Sequence, residues 1–161
     1  MAGTGSPRRS EMGSAVAAVS RLLPAPPERV YEEWLDPASL REWMCPRPAR
    51  CLDIEVEPWV GGRLRLDIED EGVEFFVIGR FTILKRPREL EFTWYCSTWP
   101  AASRESVVKV RLDPSGDQAT LMTIEHTLLP PGLFERHQAG WAAIAGQLDA
   151  ALRGTRPDLK P

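Results

Sequence analysis

A chain of 161 residues is the length of one domain and can bury roughly two-thirds of its unfolded surface. Twenty basic against twenty-three acidic residues leave a formal charge of −3, and no basic run is long enough to track a phosphate backbone, which argues against a nucleic-acid partner. No apolar stretch approaches the roughly 18 residues of a membrane span, and the N-terminus lacks the apolar core of a secretion signal, so a cytoplasmic protein is expected.

Residues 1–13 are rich in Gly, Ser and Arg without periodicity and read as a disordered tail. A folded domain is expected over 14–155, with a short tail at 156–161. Ser14 to Leu23 alternates as a first strand, and Pro24-Ala25-Pro26-Pro27 stops it. A helix begins at Pro27, presents Val30, Tyr31 and Trp34, and ends near Asp36-Pro37. A second short helix, Pro37 to Met44, carries Leu40 and Trp43 before Pro46 and Pro48 break the chain. The three cysteines, Cys45, Cys51 and Cys96, form no CxxC pair and are expected as reduced thiols.

From Cys51 the period becomes two. Leu52, Ile54 and Val56 form a strand, Pro58 to Gly62 turns, and Leu64, Leu66 and Ile68 share the next strand's face. Val73 to Leu84 is a long strand, and Leu90, Phe92 and Trp94 alternate after the turn Lys85 to Arg88. Val108, Val110 and Leu112 share one face of the next strand, and Met122 and Ile124 share one face of the last. The chain then reads as one long helix from Pro130 to Gly154. Leu133/Phe134, His137, Trp141, Ile144, Leu148 and Leu152 recur on it at steps of three and four. Gly140 is expected to let a strand approach that helix closely.

Strands joined by short turns are antiparallel, so the fold class is α+β, with about six or seven strands curling around one long C-terminal helix. Two short helices after the first strand close one end. A helix laid across so curled a sheet is expected to leave an apolar cavity for a small ligand. Trp34 and Trp43 are its candidate lining from the short helices. The strands offer Leu66, Phe75, Val77, Phe92, Trp94, Val108, Met122, Ile124 and His126, and the long helix offers His137, Trp141 and Ile144.

Pro26-Pro27-Glu28-Arg29-Val30-Tyr31, Leu40-Arg41-Glu42-Trp43 and Val60-Gly61-Gly62-Arg63-Leu64 together resemble the START-like (SRPBCC) superfamily, in the branch named for the Hsp90 ATPase activator C-terminal domain. Pro87 to Trp94, Thr123-Ile124-Glu125-His126 and His137 to Trp141 extend the resemblance over about residues 16 to 154. It implies a helix-grip fold and a hydrophobic small molecule held between long helix and sheet. It brings no universal catalytic set. The segment Ser97 to Ser103 is longer than a tight hairpin needs, and a loop there is a candidate gate or partner contact.

His126 and His137, the two histidines, invite an acid–base or metal role with Glu125 or Glu135. Without a spaced third ligand they read better as structural residues or pocket rim, and no metal and no cofactor is expected. Gly61-Gly62 precedes a strand and lacks a Lys-Ser/Thr, so it is a turn and not a phosphate cradle. The acids Asp67 to Glu74 lack calcium-loop spacing. Ser97, Ser103 and Ser106 lack a nucleophile motif, and Cys96 sits in an apolar strand end.

Binding of a hydrophobic or aromatic compound without catalysis is therefore the first expectation. A cyclase or hydrolase using a cavity histidine is the alternative, against which stands an inward face of Leu, Val, Phe, Ile and Trp. An Hsp90-type chaperone partner is the weakest reading, because a full activator carries another domain. A monomer or a homodimer is expected.

Overall fold

The computed structural model describes residues 15–154, so the expected tails at 1–13 and 156–161 lie outside the described residues. Ten elements follow one another: β1 (Ala17–Leu23), α1 (Pro27–Glu33), α2 (Pro37–Trp43), β2 (Arg50–Val56), β3 (Arg63–Asp70), β4 (Val73–Lys85), β5 (Glu89–Cys96), β6 (Ser106–Pro114), β7 (Thr120–Thr127) and α3 (Phe134–Arg153). The strands form one curved antiparallel sheet in the order β1-β7-β6-β5-β4-β3-β2. Successive hairpins explain every neighbour except β1, which crosses to pair with β7, with Ala17 opposite His126 and Leu23 opposite Thr120. The helix-grip arrangement of α3 against this sheet is present as expected.

Alternation decides which side of each strand meets α3. Leu90, Phe92, Trp94 and Cys96 are buried on β5, Ser106, Val108, Val110 and Leu112 on β6, and Thr120, Met122, Ile124 and His126 on β7. Burying an aliphatic or aromatic side chain stabilises by about 1.5–3 kcal/mol, so these three strands give the core a large share of its stabilisation. Gly79 on β4 faces Thr93 so closely that a Cβ there would lie 1.8 Å from the Thr93 carbonyl oxygen. Glycine is the one residue that fits between those strands.

The helix α3 is fastened by polar side chains as well as by packing. Gln138 clasps the edge strand, accepting from the Ala18 N–H (2.8 Å) and donating to the Ala18 carbonyl (2.6 Å). Asp149, nearly buried, receives Arg21 of β1 at 2.9 Å and Arg153 of its own helix at 2.7 Å. Gln147 donates to the carbonyls of Trp43 (3.0 Å) and Cys45 (2.9 Å), tying α3 to the end of α2. Gly154, in the left-handed region, ends the helix.

Four expectations are corrected. The long helix begins at Phe134 and not at Pro130, because Gly132 has φ +86, outside the α region, and the segment before it forms a turn. Phe134 is consequently exposed. Cys45 and Cys51 are bonded to each other across the α2–β2 connection, their Cα atoms 6.0 Å apart; proximity created by the Pro46–Pro48 turn pairs two thiols that no motif links. Cys96 alone is free, and it is buried. At Gly140 a Cβ would meet nothing within 4 Å, so no strand approaches there. Finally, the expected hollow between α3 and the sheet is filled by side chains, and no enclosed cavity separates them among the described residues. Large rings from α1, α2, β5 and α3 occupy the space that the curl of the sheet leaves.

Candidate functional site

At the centre of that filled space sits His126. It ends the inward series Met122, Ile124, His126 of β7 and lies opposite Val108 of β6. The Trp141 indole of α3 donates to His126 Nδ1 at 2.9 Å. An indole nitrogen is a donor only, so Nδ1 must be the acceptor and the imidazole proton must reside on Nε2. Nε2 then donates to the Ser106 hydroxyl at 2.7 Å, and Ser106 passes its own proton to the Trp94 carbonyl at 2.9 Å. The relay Trp141, His126, Ser106, Trp94 therefore links helix α3 to strands β7, β6 and β5, and the ring is neutral.

Burial, and next the neighbouring His137, hold the His126 pKa down at about 3. His137 is lowered as well, chiefly by burial, against an opposing hydrogen bond to the Leu133 carbonyl at 3.0 Å. That bond fixes the His137 proton on Nδ1. The two imidazoles meet edge to face with centroids 5.1 Å apart. With both nitrogens engaged, His126 has no lone pair available for a metal or a substrate proton. No group of three His, Cys, Asp or Glu side chains able to hold a metal ion occurs among the described residues.

Around the relay the rings form one continuous chain. Trp94 packs on Trp141 (5.4 Å) and on His126 (5.7 Å), and Trp34 reaches Trp141 at 6.4 Å and Phe92 at 6.2 Å. Trp43 meets Trp34 edge on at 4.9 Å, and its indole donates to the buried Glu33 at 2.9 Å. At the opposite end Trp99, from the loop joining β5 to β6, lies between Tyr95 (5.7 Å) and His137 (6.0 Å). The loop's base is tied down by Ser97, whose N–H donates to the Phe76 carbonyl and whose hydroxyl accepts from the Phe76 N–H.

The ring chain brings together seven of the residues singled out from sequence: Trp34, Trp43, Phe92, Trp94, His126, His137 and Trp141. Val108, Met122, Ile124 and Ile144 are buried in the same core beneath them. Leu66 and Val77 are buried further along the sheet, on β3 and β4. Phe75 is only half-buried and borders a shallow surface hollow of about 220 Å³ with Leu52, Asp67, Ile68, Glu74 and Phe76. A second, open hollow of about 470 Å³ lies outside α1, between Arg29, Glu32, Asp36, Pro58 and Arg86. Both are open to solvent with mixed polar and apolar walls, and the larger one reaches the ring chain only through Glu33, the acceptor of the Trp43 indole.

Sequence comparison adds the family. The model for activator of Hsp90 ATPase homolog 1-like proteins matches residues 24–153, which is most of the chain from the end of β1 to the end of α3. The chain belongs to that family. No curated protein matches the sequence. Among solved structures, this chain is similar to protein CV1439 of Chromobacterium violaceum, with 26% identity and a TM-score of 0.74 over 85% of this chain and 96% of that one. A protein of Arthrobacter aurescens superposes with a TM-score of 0.77 at 24% identity, covering 89% and 88% of the two chains. PFC0360w, an Hsp90 activator from Plasmodium falciparum, shares the fold with a TM-score of 0.70 at 21% identity over 86% and 96%.

Two residues of this family member's site escaped sequence reasoning. Ser106 reads from sequence only as a serine without a nucleophile motif, yet it holds the inward phase of Val108, Val110 and Leu112, where a hydroxyl needs a buried partner. His126 holds the same phase on the strand alongside. Two polar residues of one phase on adjacent apolar faces, Ser106 two positions from the Val108 that His126 opposes, are a legible sign of a buried pair. Trp99 carried no such sign, because its loop has no period.

Proposed function

We propose that this protein binds a hydrophobic or aromatic small molecule between α3 and the sheet and performs no chemistry on it. The observation that carries this reading is the wall formed by Trp34, Phe92, Trp94, Trp141 and His126. It is aromatic throughout, and its one titratable member is held neutral with both nitrogens occupied. Flat π-faces favour an aromatic guest through stacking and edge-on contacts. The wall ends at Trp99, which belongs to a loop and not to a strand, so the indole of Trp99 can withdraw without breaking the sheet ladder, and the guest takes the room so released. The match to a family of this fold supports the location. A cyclase or hydrolase acting through His126 would need a free nitrogen on that ring, and the relay through Ser106 and Trp141 consumes both.

The test is a panel of lipids, flavonoid-like and polyketide-like compounds in thermal unfolding, with native mass spectrometry on the hits. A ligand at about 100 times its Kd adds about 2.7 kcal/mol, which raises the Tm by roughly 5–10 °C for a domain this size. A panel in which no class raises the Tm removes the reading.

A further inference from the structure

The interior wall carries two hydrogen-bond donors that the protein leaves unused. Trp34 Nε1 and Trp94 Nε1 are buried and have no acceptor, although both residues are at least nine-tenths buried, at 2% and 7% exposure. The polar groups that touch them are engaged. The Trp141 indole donates to His126, the Trp43 indole to Glu33, His126 to Ser106, and Ser106 to the Trp94 carbonyl. The two rings share their neighbours: Trp34 and Trp94 each pack against Trp141 and against Phe92. The rings that meet them edge on, Trp43 and His126, are weak acceptors through their π-faces. A buried N–H without an acceptor destabilises the folded chain, and native interiors keep such groups rare. Two in a single ring cluster, beside a relay in which every other donor is satisfied, mark a place built to meet an acceptor from outside the chain.

Resting on the binding reading above, we propose that the ligand carries a neutral carbonyl or similar oxygen acceptor on an aromatic frame, and that Trp34 and Trp94 are the specificity-determining donors. Trp34 and Trp94 themselves offer donors only, and the acceptor left over in the ring chain, Nε2 of His137, lies beyond His126 from them, so a hydroxyl or amine proton placed at the two indoles finds nothing to receive it. It offers no cation either: both histidines are held toward their neutral forms by burial, and His126 has no proton to spare for an anion. A carboxylate would enter this interior uncompensated, which is far more costly than leaving it in water. A ketone, quinone or lactone oxygen loses little on leaving water and regains its hydrogen bond from the indoles. The rule resembles that of other buried polar sites, where an analogue lacking the matching atom is rejected because the protein's own group stays unpaired.

Fluorene and 9-fluorenone test this directly, since they share one tricyclic shape and differ by a methylene against a carbonyl. Affinities by fluorescence quenching and ¹H–¹⁵N spectra of the indole groups are measured on the full chain and on Trp34→Phe and Trp94→Phe. The expected result is roughly tenfold tighter binding of fluorenone, the increment of about one buried hydrogen bond. The Trp34 and Trp94 indole protons move downfield with fluorenone and not with fluorene. Each Phe variant reduces the ratio of the two affinities, and the double variant brings it to one, whatever the change in fluorene affinity. Fluorenone-4-carboxylate binds more weakly than fluorenone. Equal affinity of wild type for both hydrocarbon and ketone overturns the carbonyl rule and leaves interior binding standing. A preference that survives both substitutions overturns the role of the two indoles. If neither compound binds up to its solubility, this proposal and the binding reading fall together. Where a Phe variant proves unfolded, the wild-type indole shifts alone decide: an unmoved pair of indole protons in the presence of bound fluorenone refutes the assignment.

Discussion

Acid should unfold this protein through one buried ring. The His126 pKa is about 3 in the folded chain, against about 6.5 for an exposed imidazole, because burial and then His137 oppose its protonation. In the pH window between those two values the unfolded chain binds a proton that the folded chain refuses. Stability from this group is therefore full above about pH 6.5, falls as the pH drops, and is exhausted near pH 3. At pH 5 the loss works out at about 2 kcal/mol, and the slope below the unfolded pKa approaches 1.36 kcal/mol per pH unit. His137, also lowered, adds in the same direction. Urea unfolding at pH 8, 6 and 5 measures the total, and His126→Gln isolates the contribution. Gln can still accept from Trp141 and donate to Ser106, but it does not titrate. Wild type should lose about 2 kcal/mol or somewhat more between pH 8 and 5, and His126→Gln should lose about 2 kcal/mol less, keeping only the part that His137 contributes. In parallel, the His126 ring carbons should show no titration between pH 8 and 4. Equal slopes in the two proteins, or a wild type that is flat to pH 5, would refute the neutral buried relay.

Other substitutions probe neighbouring parts of the same structure. Ser106→Ala removes the acceptor of the His126 Nε2 proton, and urea unfolding should show a loss of about 1–3 kcal/mol, the penalty for a stranded buried donor. Gly140→Ala should stabilise by about 1 kcal/mol by the same assay, because a Cβ there meets nothing and alanine is the better helix former; destabilisation would place a neighbour where none is seen. Reducing Cys45–Cys51, which closes a short loop, should lower stability by about 2 kcal/mol in wild type and leave a Cys45→Ser/Cys51→Ser variant unaffected by reductant.

Much of the architecture was legible because its signals are local. The alternation of Leu90, Phe92 and Trp94, and of Met122 and Ile124, fixes which face of β5 and β7 is inward without knowledge of any neighbour. Gly154 announces the end of α3 by its own backbone freedom. The failures share the opposite character. Pro130-Pro131 is a competent helix start by composition, but Gly132 takes a left-handed conformation that delays α3 by four residues. The Cys45–Cys51 bond depends on how a proline turn folds back, which spacing alone does not encode. The state of the hollow is the least local quantity of all: whether a curled sheet leaves a cavity depends on how the rings of Trp34, Trp94 and Trp141 settle against one another. His126 and Ser106 lie between these extremes, since each is visible as a polar break in an apolar face while their pairing needs the register of β6 and β7.

Interior binding has a built-in control in the distribution of the tryptophans. Trp34, Trp94 and Trp141 line the space between α3 and the sheet, whereas Trp59, 58% exposed at the β2–β3 turn, lies on the surface. The decisive measurement is a titration of the ¹⁵N-labelled protein with a compound that raises its Tm, following the indole N–H signals of these four residues. Interior binding requires the Trp34, Trp94 and Trp141 signals to shift saturably with one shared Kd while Trp59 stays fixed. Movement of Trp59 alone, with the three interior signals unchanged at saturation, would show that the ligand binds the surface and that the ring-walled interior is simply core.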